Sequence, residues 1–220
     1  MRHQRQFALA LRPRGRGGAR KGAGRKPGPG RRRLSHLRRS THDPRCPVHV
    51  TLRASAGLPS LRSGRMYAVV IAACTAASCD GFRLLHFSVQ RDHVHLLVEA
   101  DRPLRLTRGI QGLAIRAARA CNKVLGRRGA VWGDRYHSRT LGTPREVRNA
   151  LVYILANLRK HVPCAKGIDP RSSARWFDGW RDRMLKADDP SPVATARTWL
   201  ARKGWRVHGL IGLDEAPRAG

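Results

Sequence analysis

Apolar and polar residues alternate over Val48-His49-Val50-Thr51-Leu52, the period of a half-buried strand. Beyond Gly57 and Pro59, an Ala/Val-rich stretch over residues 64–78 reads as a buried helix, ended by Asp80-Gly81. Residues 82–90 and 93–100 are two strands of similar length joined by a short Arg91-Asp92 turn, a hairpin. In the first of them Leu85, Phe87 and Val89 alternate with His86, Ser88 and Gln90. Pro103 opens a long helix with Leu106, Ile110, Leu113, Ala117, Cys121 and Val124 along one stripe, closed by Gly126 and Gly129. Residues 136–141 form a short extended piece. Thr143-Pro144-Arg145-Glu146 then supplies an N-cap, a proline at the first helical position and a glutamate for a capping box. Val147, Leu151, Ile154 and Leu158 continue that helix toward His161, and Pro163 stops it.

The order strand, helix, strand, strand, helix, strand predicts an α+β class. It implies a ferredoxin-like βαββαβ antiparallel sheet with two helices on one face. The additional C-terminal helix is then available to cover the other face. Residues 163–220 form a Trp-containing extension in which a short helix is expected from Ser191-Pro192 to Gly204.

Charge changes the picture. The 220 residues carry 45 Lys and Arg against 14 Asp and Glu, a formal net charge of +31. Residues 1–45 hold 15 of the basic groups and one acid, Asp43, which leaves +17 on the rest. That first segment has almost nothing to bury and is expected to be a disordered basic tail. Within it Gly24-Arg25-Lys26-Pro27-Gly28 loosely resembles an AT-hook, although a polycationic arm attracts phosphates without any motif. Charge of this size selects nucleic acid as partner and disfavours a small acidic substrate. The longest mostly apolar run, residues 66–79, falls short of the ~20 residues that span a bilayer. No secretory signal is read, and the five cysteines form no CxxC, so they read as reduced cytosolic thiols in a cytoplasmic protein.

Two constellations carry chemistry. His93 and His95 lie two apart on a strand, so both imidazoles leave one face while Val94, Leu96 and Val98 enter the core. Two such imidazoles chelate a cation or are simply solvated, and the pair by itself leaves both open. Tyr153 and Asn157 lie four apart on the capped helix, away from its main apolar stripe. Spacing alone leaves a boundary tyrosine and a functional one equally open. Taken together, an amide oxygen and two imidazoles make a three-ligand site suited to Mg²⁺ or Mn²⁺, with Tyr153 as a nucleophile beside it. Arg105, Arg108, Arg116, Arg119 and Lys123 on the long helix, Tyr136 at the start of the last extended segment, and Arg25 and Lys26 in the tail are the expected DNA contacts. Asp92 reads as a turn former, His86 as a polar strand residue, and Glu99 as too far along the strand to be a ligand.

His93-Val94-His95-Leu96-Leu97-Val98-Glu99 resembles the HUH motif of single-tyrosine HUH transposases. Val131-Trp132-Gly133-Asp134-Arg135-Tyr136-His137-Ser138-Arg139 with Tyr153-Ile154-Leu155-Ala156-Asn157 resembles their REP-associated tyrosine transposase branch. The similarity runs over residues 47–161, within a catalytic domain placed at 46–162. Many relatives follow the asparagine with proline, where this chain has Leu158. The resemblance implies that Tyr153 is the nucleophile, that His93, His95 and Asn157 hold a divalent metal, and that hairpin or palindromic single-stranded DNA is cleaved and rejoined. The intermediate would be a 5′-phosphotyrosine, and no ATP is needed, in keeping with the absence of a GxxxxGK[ST] loop. It further implies a bacterial, nucleoid-associated protein, in some relatives a homodimer that exchanges the tyrosine helix. The alternative is a non-catalytic or decayed ferredoxin-like nucleic-acid-binding module, which would read bases with aromatic side chains on the sheet. Aromatic residues are only 5% of the chain, and no such aromatic run is visible.

Overall fold

A computed structural model describes residues 42–156, 167–182 and 189–215. Its elements are β1 (Val48–Arg53), α1 (Gly64–Thr75), β2 (Phe82–Val89), β3 (His93–Ala100), α2 (Pro103–Val124), β4 (His137–Thr140), α3 (Pro144–Leu155) and a short α4 (Trp199–Arg202). The strands lie in the order β2-β3-β1-β4 with each pairing antiparallel, the ferredoxin-like arrangement. Arg25, Lys26, Asn157, Leu158, His161 and Cys164 lie outside the described residues. Among those described, no helix is long and apolar enough to cross a membrane.

One sheet face is sealed with hydrocarbon. Val48, Val50 and Leu52 of β1, Val94, Leu96 and Val98 of β3, and Phe82, Leu84, Phe87 and Val89 of β2 point to it. Met66, Val70 and Cys74 of α1 and Leu106, Ile110, Leu113 and Cys121 of α2 close over them. At Gly109, α2 sits so near the Phe82 ring that any side chain there would run into it. Burial raises the Cys74 thiol to about 12, so it stays a neutral core residue. Trp132 braces this layer from the loop before β4, donating its Nε1 proton to the Ala114 carbonyl at 2.9 Å.

The opposite face carries a second core, in which α3 meets Leu85 and Leu97 of the sheet and Ala174, Phe177, Trp180, Trp205 and Ile211 of the extension. The expectation that Leu85 shares a face with Phe87 and Val89 is corrected here. A bulge falls between Leu84 and His86, which pair with Val98 and Leu97, so Leu85 is the extra residue. It joins the second core, and Phe87 returns to the first.

The extension is fastened by buried polar groups. The fully buried Glu99 carboxylate accepts from Arg83 Nε at 3.0 Å, from the Arg197 and Thr198 backbone N–H groups at 2.9 Å each, and from the Thr198 hydroxyl at 2.7 Å. Asp169, also buried, takes both ends of the Arg62 guanidinium at 2.8 Å. Ser173 Oγ accepts from the Phe87 N–H at 3.0 Å, and the Arg148 guanidinium grips Glu215 at 2.8 and 2.9 Å. These contacts also correct the expected helix from Ser191 to Gly204. The Ala194 N–H donates to the Leu84 carbonyl and residues 197–198 donate to Glu99, so the backbone there is committed to the sheet. Helix starts only at Trp199, capped by the Thr198 side chain, and a 3₁₀ turn follows over Gly204–His208.

At the other end His42, within the segment read as tail, is buried and bonds through Nε2 to the Ala100 carbonyl oxygen at 2.7 Å. At least His42, upstream of Cys46, is therefore packed against the sheet.

Candidate active site

Strand alternation places His93 and His95 on the α3 side of β3, and β1 contributes His49 and Thr51 to the same surface, with Thr51 directly opposite His95. The His93 and His95 rings stand edge to face, centroids 4.6 Å apart. His95 is only 4% exposed. Its Nδ1 lies 3.2 Å from His49 Nε2 and 3.2 Å from the Thr51 hydroxyl. His93 Nδ1 lies 2.7 Å from Asp92 Oδ1, and Asp92 Oδ2 accepts from Arg53 at 3.3 Å. The His93 contact and the Arg53 charge hold the Asp92 carboxyl below its usual range. Asp92 is thus more than a turn former: it orients the first histidine of the pair.

The capped helix delivers the tyrosine. The Thr143 side chain accepts from the Glu146 N–H at 3.2 Å, as expected, while Glu146 Oε2 accepts from the Gly142 N–H at 2.9 Å, one residue earlier than a standard capping box. Val147, Leu151 and Ile154 anchor α3 in the second core. This leaves Tyr153, half-buried, facing the histidines. Its ring meets His95 edge-on at 4.9 Å and His49 at 5.8 Å. α3, β1 and β3 together bring the tyrosine and the imidazoles to one surface.

His49 was missed in the sequence because it was read only as a strand residue. The signal was present: alternation on β1 puts it on the face opposite Val48 and Val50, where an adjacent antiparallel strand presents His95. Burial, helped by the charges of His137 and Arg139, lowers its pKa from 6.5 to about 4, so it is neutral at physiological pH.

Other expected site residues lie elsewhere. Arg105, Arg108, Arg116, Arg119 and Lys123 belong to α2, across the sheet from Tyr153. Arg105 pairs with Asp80 at 3.2 Å, and Arg108, Arg116, Arg119 and Lys123 are exposed. Tyr136 is partly buried against the first core. Glu99 fastens the extension, and His86 sits against Ser173 Oγ at 3.1 Å and edge-on to Phe177.

The donor chemistry suits a hard or borderline divalent cation. Both imidazoles already engage Nδ1, His93 with a carboxylate and His95 with a hydroxyl and a second imidazole. Such outer partners fix ring orientation and direct Nε2 toward a metal. Among the described residues no three His, Cys, Asp or Glu side chains gather around one cation position.

Residues 63–157 match the family model described as IS200-like transposase, and both the HVH and YILAN motifs fall within them. The resemblance read from the sequence is shared by that model over a little under half of the chain. No curated protein matches the chain. A solved structure of a REP-associated tyrosine transposase bound to a REP hairpin aligns with a TM-score of 0.49 at 17% identity, over 58% of this chain and 74% of that one.

Proposed function

From the IS200-like transposase sequence of residues 63–157, we propose that this chain cleaves and rejoins single-stranded DNA at hairpin or palindromic ends, with Tyr153 as nucleophile. The observation that carries the reading is the placement of the Tyr153 ring over His95 and His49, on the face where His93 and His95 converge. A structural tyrosine would sit in the α3 stripe with Val147 and Leu151. This one sits among imidazoles.

In this mechanism the Tyr153 hydroxyl oxygen attacks a phosphorus in line. The bond to the 3′ oxygen breaks, leaving a 5′-phosphotyrosine and a free 3′-OH that can reverse the step on another end. His93 and His95, with Asn157 four residues after Tyr153 in the sequence, would hold Mg²⁺ or Mn²⁺. Such a cation polarises the phosphate and stabilises charge developing on its oxygens. Asp92 keeps the His93 ring in register, and His49 and Thr51 do so for His95. The exposed basic groups of α2, with Tyr136 and the tail residues Arg25 and Lys26, are proposed to hold flanking phosphates. A net charge of +31 would keep such a protein on the nucleoid in a bacterial cytoplasm.

A base-reading module without catalysis fits less well. The sheet face such a module would use is covered here by α3 and the extension.

The test is denaturing electrophoresis of labelled hairpin strands incubated with protein and Mg²⁺ or Mn²⁺. The parent and Tyr67→Phe should form a covalent adduct, whereas Tyr153→Phe should form none and still bind DNA within a few-fold. His95→Ala should lose the adduct together with Mn²⁺ binding measured by calorimetry. Equal adduct from the parent and Tyr153→Phe removes the tyrosine from this role. No adduct from the parent on any palindromic strand returns the chain to the binding-module reading.

A further inference from the structure

Trp199 is 59% exposed, whereas Trp180 and Trp205 of the same extension are buried and donate their Nε1 protons to backbone carbonyls. One edge of the Trp199 ring rests against the backbone of Gly204, where a side chain would collide with it. The residues just before it are fixed by the buried Glu99 carboxylate, and Thr198 also caps the turn that carries the ring. A large aromatic side chain is therefore held rigidly at the surface by one of the most completely satisfied carboxylates of the fold.

Its surroundings are cationic. Clefts of about 630 and 720 Å³ share Arg83 and Arg197; Trp199 and Arg45 line the first, and Arg202 lines the second. The acids that line them are matched: Asp43 pairs with Arg45, Asp101 with Arg83, and Asp80 with Arg105. Arg197 and Arg202 have no acidic partner among the described residues.

We infer that Trp199, flanked by Arg197 and Arg202, is a stacking platform for a base of single-stranded DNA, with the two arginines on the adjoining phosphates. The inference rests on the DNA-cleaving reading above and extends it to a contact outside the residues that match the transposase family. A rigid exposed aromatic ring beside unmatched guanidinium groups is the combination that binds single strands without regard to sequence. A second copy of a chain carrying +31 is repelled by the same charges that attract a polyanion. The platform is tied to the strand that carries the candidate active site, because the carboxylate that fixes residues 197 and 198 is Glu99 of β3. Glu99 lies four residues beyond His95 on the same face of β3, about 13 Å away at strand rise.

The experiment titrates full-length protein carrying Tyr153→Phe, which cannot cleave, into fluorescein-labelled oligothymidylate at several salt concentrations. Adding Trp199→Ala should weaken binding about tenfold, while Trp199→Tyr stays within a few-fold because it keeps a stacking ring. Arg197→Gln and Arg202→Gln should each lower the slope of log Kd against log salt by about 0.7. Thermal melting checks that each variant is folded. If Trp199→Ala, folded, binds oligothymidylate as tightly as its parent, the platform is overturned. The same holds if Trp199→Ala changes only sedimentation, which would make the surface a protein interface. Failure of the Tyr153 reading is separately visible, since it appears as missing adduct in the parent whatever Trp199 does.

Discussion

The two faces of the sheet are covered in different ways. Under α1 and α2 the contact is hydrocarbon, from Val50, Leu96, Phe87 and their neighbours. Under α3 and the extension, Leu85 and Leu97 are accompanied by the buried polar residues Ser88, Gln90, His95, Glu99, Ser172 and Ser173. Apolar contact is non-directional and tolerates small shifts of one layer over another. Buried polar groups tolerate almost none, because each misaligned donor or acceptor costs about 1–3 kcal/mol. The face that must keep Tyr153 in place over the histidines is the one whose cover is aligned by hydrogen bonds. The other face supplies stability, and it can do so with packing alone.

Four substitutions test that division, taken from the largest expected effect to the smallest. Phe87→Ala, on the hydrocarbon face, should cost about 4 kcal/mol through lost transfer energy and a cavity. In urea unfolding it should lower the midpoint for sheet and extension together. Glu99→Gln should cost about 3 kcal/mol, since one oxygen becomes an NH₂ that faces either the Arg83 and Arg197 donors or the two Thr198 donors, and Arg83 loses its buried charged partner. Here the comparison sharpens: limited proteolysis should cut within residues 189–215 well before the sheet opens. Uniform resistance to the protease would show that the extension needs no polar fastening.

His86→Phe addresses acid sensitivity on the same face. Burial lowers the His86 pKa from 6.5 to about 4. Between those values the unfolded chain binds the proton and the folded chain does not, so stability rises with pH across the window and is lost on acidification toward about 4. His86 contributes a slope of at most about 1.4 kcal/mol per pH unit. The phenylalanine variant should flatten the profile measured by urea midpoints, leaving the part due to His49. An unchanged slope would place the acid sensitivity elsewhere. Ser173→Ala should have the smallest effect, about 1 kcal/mol from the lost bond to the Phe87 N–H. Its signature should be faster hydrogen exchange at Phe87 and not at Leu96.

The strand and helix order was legible because each element of residues 48–155 carries its own period and its own stop signals. The Thr143 cap and the Val94/Leu96/Val98 alternation needed no tertiary information. Convergence of His93, His95 and Tyr153 could also be anticipated, since strand and helix spacing fix which way those side chains leave the backbone. What escaped depends on partners distant in sequence. The role of His49 depends on the pairing of β1 with β3. The bulge at Leu85 left only a Leu-Leu doublet as its trace. The false helix before Trp199 had good local signals, yet its backbone donors are taken by Glu99 and Leu84, more than ninety residues earlier.

That long separation bears on how the protein is made. Glu99 emerges from the ribosome 98 residues before Arg197, the first of its backbone donors in the extension. At ~5–20 residues per second, synthesis leaves roughly 5–20 s in which the sheet can form while this carboxylate has no cover. The cover over the Glu99 end of the sheet is therefore laid down after the sheet itself, and the surface that presents Trp199 comes into being only once residues 197–199 have been translated.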